Sequence, residues 1–474
     1  MIGQDFEKIH FDIWGFHFLE PNALIGDLIL FSIAFYFSLK IKNLNNQHPF
    51  FKNWRRFYLL FSLSFLIGGI GHFCFNYLGL WGRYPSWIIG MLATYFICLA
   101  QISLWPKQNQ QQLFKNLAAL LLIIGTLLVW AATRDWYIRN GLDGQYYLKR
   151  HSINILIGGL LAYGATVVDY RLLRAYTPFL WGGAVLGLVI VLIPGLGAEI
   201  NGARAWIALP GGFQIQPAEL AKIAIIIGMS MILSERTHDS NEPTSKDVLQ
   251  ALAIAAIPVL LIVLQPDMGT ILIIAASVVT IIAVSGAPAR WVAALLLLAV
   301  LGGFVAVKAG IISEYQVSRL QTFVDPSADT QGAGYQLRQA RITVGSGGLL
   351  GTGLFDGPQT SGRFVPEQQT DFIFTVAGEE LGFVGSGFIL ILYLILLMRA
   401  FSIARRTSDP FGRLVCTGVI AWFAFQLFEN IGMTLGLMPM TGVPLPFISY
   451  GGSSMFATMI GFGLLQNVHA RLRG

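Results

Sequence analysis

Apolar runs long enough to cross a bilayer follow one another along almost the whole chain, separated by short polar or basic breaks. A spanning helix needs about 20 mainly apolar residues. Runs of that order fall at about 24–41, 57–80, 85–105, 114–133, 151–169, 177–197, 216–234, 248–265, 268–286, 290–311, 371–398, 411–436 and 447–467. The pattern thus predicts thirteen spans, with short helices either side of the turn at 266–268. Only 12% of the residues are charged and 55% are hydrophobic, with mean hydropathy +0.64. Soluble domains hold about 25% charged residues, so a soluble enzyme or a nucleic-acid-binding domain is excluded. An all-α polytopic membrane protein is expected.

Net charge is +6, but the basic residues concentrate in short loops, where they report topology. Loop 40–56 holds Lys40, Lys42, Lys52, Arg55 and Arg56; loop 398–413 holds Arg399, Arg405, Arg406 and Arg413; the tail holds Arg471 and Arg473. Thirteen spans put all three on one side, which the positive-inside rule makes cytoplasmic. Loop 134–150, with four basic residues, opposes this assignment and is outnumbered. The acidic N-terminal tail and the segment 312–370 then lie outside, and the C-terminus is cytoplasmic. Residues 1–20 lack the basic start and short apolar core of a cleavable signal. Cys74, Cys98 and Cys416 all sit in apolar runs without metal-ligand spacing, so a disulfide framework or a thiol nucleophile is not expected.

Segment 312–370 is glycine-rich yet also holds Tyr335, Leu349, Leu350, Phe355 and Phe364, which a flexible linker would not. It reads as a structured loop over the outer mouth of the bundle. No internal repeat is visible. Four polar constellations map to that same face.

In NGARAWIALPGGFQIQPAELAKI (201–223), Pro217 suits the first helical position. Glu219 and Lys222 then share one helix face, either as a self-neutralising pair or as a cation set for an anionic headgroup. In QPDMGT (265–270), Asp267 reads as a helix cap or as a site residue. Arg338 and Arg341, in YQLRQARITVGSGG, would share a face that suits a pyrophosphate or a lipid headgroup surface. In FVPEQQTDFIFTVAGEE (364–380), Thr370 or Asp371 is placed to cap the span at 371–398. Glu379 and Glu380 fall within that span and must pair, protonate or face a wet cavity. Gly378 and Gly382 would allow close packing there. The prolines and glycines of 430–455 predict irregular backbone lining the same vestibule.

QPDMGT, the DP…GAGYQ…GSGGL…G run, FVPEQQTDFIF…GEELG and GVPLPFISYGGSS, in this order, resemble the SEDS family of RodA, FtsW and SpoVE proteins. The similarity covers about residues 114–470, and its wording is closer to the RodA branch. The resemblance implies a ten-span SEDS-type bundle, GT-C-like, over 114–474. Residues 1–113 add an extension of about three spans of unassigned role. It also implies a peptidoglycan glycosyltransferase for elongation and shape in the cytoplasmic membrane. Such an enzyme polymerises lipid II into β-1,4 glycan strands outside the membrane, with loss of undecaprenyl pyrophosphate. The implied partners are a class B penicillin-binding protein transpeptidase and proteins of the elongation or division complex.

The family's aspartate in TDFIF falls on Asp371, the expected catalytic residue. Glu219, Lys222, Asp267, Arg319, Arg338, Arg341 and Glu367 are the candidates for substrate binding. No cofactor is implied with certainty; a divalent ion, Mg or Mn, is one option. Many family members have His where this chain has Gln369, so an imidazole there is not obligatory. A lipid II flippase and a non-catalytic scaffold for the cross-linking enzyme are the alternatives.

Overall fold

The computed structural model describes residues 10–13, 16–19, 21–42, 49–74, 85–86, 89, 93, 110–200, 203–209, 213–235, 242–308, 314–324 and 332–472. The chain divides into two compact units, Met1–Leu113 and Phe114–Gly474. In the first, strands β1 (His10–Ile13) and β2 (Phe16–Leu19) pair as an antiparallel hairpin. Helices α1 (Pro21–Lys42) and α2 (Pro49–Phe73) pack along one another, with Phe37 stacked on Tyr58. The run expected at 85–105 lies almost wholly outside the described residues.

The second unit is a helical bundle. Its helices are α3 (Gln110–Arg139), α4 (Tyr146–Val167), α5 (Tyr170–Leu192), α6 (Pro217–Ser234), α7 (Ser245–Val263), α8 (Met268–Ser285) and α9 (Ala289–Lys308). They continue as α10 (Glu314–Val324), α11 (Ala333–Ser346), α12 (Pro358–Gly362), α13 (Ile373–Glu380), α14 (Gly382–Arg406), α15 (Pro410–Leu435) and α16 (Gly452–Arg471). Among the described residues of the whole chain, eight helices are long and apolar enough to cross a membrane. They lie in α1, α3, α5, α6, α7, α8, α14 and α15, and a shorter apolar stretch, Ala289–Gly303, lies in α9. The protein is an all-α polytopic membrane protein.

Helix α6 is the hub. It packs against α5, α7, α8, α15 and α16, and 72% of its apolar window is buried against 17% for α5. A helix apolar on every side belongs inside such a bundle, and α6 supplies that with Ile223, Ile225, Ile226 and Ile227. Pro217 stands at its first turn, as the spacing predicted, and costs no hydrogen bond there.

Three features depart from the sequence reading. A three-stranded antiparallel sheet, β3 (Gly197–Ile200), β4 (Ala203–Leu209) and β5 (Phe213–Ile215), precedes α6. Second, the run at 371–398 is not one helix. It breaks between α13 and α14 at Gly382, whose φ of 65° lies in the left-handed region. A Cβ there would stand 2.2 Å from the backbone nitrogen of Gly351, so only glycine lets the two backbones meet. Third, neither Thr370 nor Asp371 caps the following helix. Its N-cap is Phe372, with no side-chain capping bond, and Asp371 lies in the preceding turn.

The break explains the two glutamates. Glu379 and Glu380 belong to the short α13, ahead of the spanning helix, and their carboxylates are hydrogen-bonded. Glu379 accepts from the backbone N–H groups of Gln359 and Thr360 at 2.8 and 2.7 Å and from both the Thr360 and Ser346 hydroxyls. Glu380 accepts from Phe355 N–H at 3.0 Å. Their main-chain oxygens accept from Thr352 and Gly353. A buried carboxylate is tolerated when such donors replace water, so the pair anchors the 346–362 segment to α13. That stretch is structured, as its aromatic content predicted. Gly378 faces Val344 and Gly347, where a side chain would clash, so α11 and α13 touch closely.

Candidate active site

The N-terminal ends of α6 and α8, helix α10, and the segments 363–372 and 436–451 converge at one end of the bundle. Asp267 caps α8, with Oδ1 accepting from Thr270 N–H at 3.0 Å and Oδ2 from the Thr270 hydroxyl at 2.8 Å. It also accepts from Gln216 Nε2 at 2.8 Å, which ties the starts of α6 and α8. Gln316, on α10, donates to Pro266 O at 3.0 Å. One turn on, Arg319 donates through Nη1 to Met440 O at 3.2 Å.

Asp371 sits among these groups, half-buried. Its Oδ2 and Arg319 Nη1 both approach Gly442, where a Cβ would stand 3.2 and 3.8 Å from them. Burial first, then the Glu367 and Asp267 carboxylates, push the Asp371 carboxyl up to about 7 against the opposing Arg319 guanidinium. Such a group is poised near neutral pH, where a general base works best.

The turn carrying Asp371 is wound tightly. The Glu367 carbonyl oxygen accepts from the N–H groups of Thr370, Asp371 and Phe372, at 3.1 to 3.3 Å. Glu367 itself is exposed, in left-handed backbone with φ of 51°. Gln369 is buried and bridges Arg363 and Glu367, accepting from one at 3.4 Å and donating to the other at 3.2 Å. An amide does both without titrating, and that is what Gln369 brings to this turn.

The remaining candidates are placed differently. Glu219 and Lys222 form a 2.9 Å ion pair inside the bundle, with side chains 5% and 1% exposed. Lys222 Nζ also lies 4.7 Å from the centroid of the Trp422 ring. The pair is therefore an interior one and does not reach the interface. Arg338 and Arg341 share helix α11, but Arg338 is exposed and Arg341 donates to Gly436 O at 3.2 Å, at the C-terminal cap of α15. Among the described residues no group of three His, Cys, Asp or Glu side chains is arranged to hold a metal ion.

Two residues outside the expected set hold Asp371 in place. Asn430, in α15, donates to the main-chain oxygen of Asp371, and Ser449 donates to that of Thr370 at 2.5 Å. The signal available in the sequence was a Glu429–Asn430 pair inside an apolar run, where polar groups mark function or buried partners.

Residues 111–474 match the model of the cell cycle protein family that takes in FtsW, RodA and SpoVE. The chain belongs to this family. A relative in Trichlorobacter lovleyi, named as a probable peptidoglycan glycosyltransferase FtsW, is 38% identical, with 76% of this chain and 94% of that protein covered. The stage V sporulation protein E of Bacillus subtilis is 36% identical, with 76% and 97% covered. A chain solved in a study of a peptidoglycan synthase complex that coordinates polymerization and crosslinking superposes with TM-score 0.64 at 32% identity, covering 76% of this chain and 97% of that one. Residues 1–110 lie outside the family match.

Proposed function

We propose that this SEDS-family chain is a peptidoglycan glycosyltransferase that polymerises lipid II, with Asp371 as general base. The observation that carries the assignment is the Asp371 carboxyl, raised to about 7 and set against Arg319, Asp267 and Glu367. The acceptor is the 4-hydroxyl of a GlcNAc unit and the donor an α-linked MurNAc on undecaprenyl pyrophosphate. Asp371 takes the hydroxyl proton as the oxygen attacks the anomeric carbon and the C–O bond to pyrophosphate breaks, inverting the centre to β. General-base catalysis of this kind is worth about 10²–10⁴-fold. Developing charge on the leaving pyrophosphate calls for a cation. Arg319 is the cation beside Asp371 at Gly442, and Arg338 is exposed on α11.

A lipid-linked substrate also needs an apolar approach. A groove of about 480 Å³ lies between α5, α6 and α16, with Ile215, Pro217 and Leu220 in its wall. Gln216, bonded to Asp267, is the neighbour of two of those residues. This supports a polyprenyl chain lying in the membrane while its headgroup meets the site.

The reaction belongs at the outer face, with the N-terminus outside and the C-terminus cytoplasmic as the loop charges imply. The partner is a class B penicillin-binding protein, and the branch is elongation, on the wording of FVPEQ, TDFIF and GEELGFVG. Rescue of rod shape, rather than septation, in depleted cells tests the branch. Purified chain, its partner and lipid II should yield glycan polymer on a gel, and Asp371→Asn should lower the yield at least about 100-fold. Movement of labelled lipid II in liposomes without polymer would make the chain a transporter; neither outcome would make it a scaffold.

A further inference from the structure

The opposite end of the bundle carries a feature that the glycosyl transfer leaves unused. Helix α14 runs from Gly382, at the site end, to Arg406, about 36 Å away at 1.5 Å per residue. A groove of about 550 Å³ lies there between α8, α14 and α15, with apolar walls that include Ala276, Ala421, Phe425 and Phe428. Four polar residues line it: Thr280, Thr417, Arg405 and Arg413. Both hydroxyls are spent within their own helices, Thr280 on Ala276 O at 2.7 Å and Thr417 on Arg413 O at 2.8 Å.

The two guanidinium groups are what remains. Arg405 is exposed, and the Nε of Arg413 is buried without a hydrogen-bond partner. No acidic side chain is among the residues lining the groove. Asp409, the acid next in sequence, is occupied in capping α15 through Gly412 N–H at 3.0 Å and lies against Tyr170 and Arg171. An apolar trough with two arginines at its mouth that no acidic side chain among the described residues neutralises complements an anionic amphiphile.

We propose that this groove is a binding site for one anionic glycerophospholipid, with an acyl chain along the trough and its phosphodiester on Arg405 and Arg413. Basic pockets between membrane helices bind such headgroups, and the guanidinium fork matches phosphate oxygens. The volume is that of an ordinary small-ligand pocket. A membrane helix of another protein fits less well, since helices end in Lys and Arg on the basic-loop side, which the two arginines repel.

The test uses the full chain in nanodiscs of equal phosphatidylglycerol and phosphatidylcholine, released for native mass spectrometry. One phosphatidylglycerol should be retained over phosphatidylcholine by about 10- to 30-fold, from roughly fivefold per basic group at a membrane surface. The variant Arg405→Gln/Arg413→Gln should bring the preference near unity, and Arg405→Lys/Arg413→Lys should keep most of it. Ala421→Trp, which fills the trough, should abolish retention of both lipids. Equal retention of the two lipids by the unsubstituted chain overturns the proposal whatever the variants do. So does an undiminished preference in the double glutamine variant, a co-purifying membrane protein in place of lipid, or displacement of phosphatidylglycerol by an added polyprenyl phosphate.

Discussion

The side-chain nitrogen of Asn430 donates to the main-chain oxygens of Asp371 and Val443, each at 2.7 Å. Asn430 is fully buried, and Ser449 makes a parallel tie to Thr370 while accepting from Leu445 N–H at 2.7 Å. The Thr370–Asp371 pair is thus held by two side chains, one on α15 and one in the irregular 436–451 segment. Removing the Asn430 amide strands the buried Val443 carbonyl and the part-buried Asp371 carbonyl, at about 1–3 kcal/mol for a buried unsatisfied group. Asn430→Ala should lower the thermal midpoint and cut the polymerisation rate at least about tenfold by loosening Asp371. Asn430→Asp should be worse, because a carboxylate then faces two carbonyl oxygens. A lowered midpoint with an unchanged rate would show that the tie is structural only.

The pH dependence follows from the Asp371 carboxyl, raised to about 7. A general base works in its ionised form, so the rate should rise with pH through about 7 and fall tenfold per unit below it. Glu367 raises this value and Arg319 lowers it. Glu367→Gln removes a negative neighbour, so the acid limb should move to lower pH. Arg319→Gln removes a positive one, so the limb should move to higher pH, with a further loss of rate if Arg319 meets the pyrophosphate. The profile of initial rates on lipid II between pH 5 and 9 reads all three; opposite shifts would remove Asp371 from the base role.

The interior pair Glu219–Lys222 separates binding from folding. Lys222→Ala leaves a carboxylate buried without its partner, and breaking a buried pair typically costs about 3–5 kcal/mol. That variant should express poorly or unfold early in detergent. Replacing both by apolar residues of similar size, Glu219→Leu/Lys222→Met, is often neutral or stabilising, and should restore the thermal midpoint. Recovered polymerisation in the double variant would make the pair a packing device. A folded but inactive double variant would instead support the substrate-binding role that the family resemblance implies.

What the sequence made legible was set by the range of the forces involved. Apolar runs report burial in lipid, so the helices of the bundle were readable, and so were Pro217 at a helix start and Asp267 as a cap, both local effects. The sheet at 197–215 was missed although Asn201–Gly202, between short strand-like runs, is a strong hairpin signal; the apolar count outweighed it. The break at Gly382 was invisible because glycine inside a membrane-length run is common in spanning helices. Only the approach of Gly351, 31 positions away in the chain, demands the left-handed backbone. The convergence of Asp267, Arg319 and Asp371 likewise depends on contacts between distant segments; for those residues the family motif, not the spacing, pointed to the site.

Gly382 provides the sharpest test of the broken helix. An alanine there must hold φ near 65° and place its Cβ against backbone, with Leu349, Leu350 and Gly351 all within reach. Left-handed backbone alone costs a non-glycine residue about 1–2 kcal/mol, and the clash adds to it. Gly382→Ala should therefore lower the thermal midpoint by several degrees and expose the 346–362 segment to protease, since Glu379 and Glu380 anchor that segment from the adjoining α13. Polymerisation should fall with it. Gly387, five residues on in α14, has nothing within 4 Å of an added Cβ. Alanine is the better helix former by about 1 kcal/mol, so Gly387→Ala should be neutral or stabilising. Equal behaviour of the two variants would mean that α13 and α14 form one continuous helix, and the anchoring of the loop by its glutamates would fall with the break.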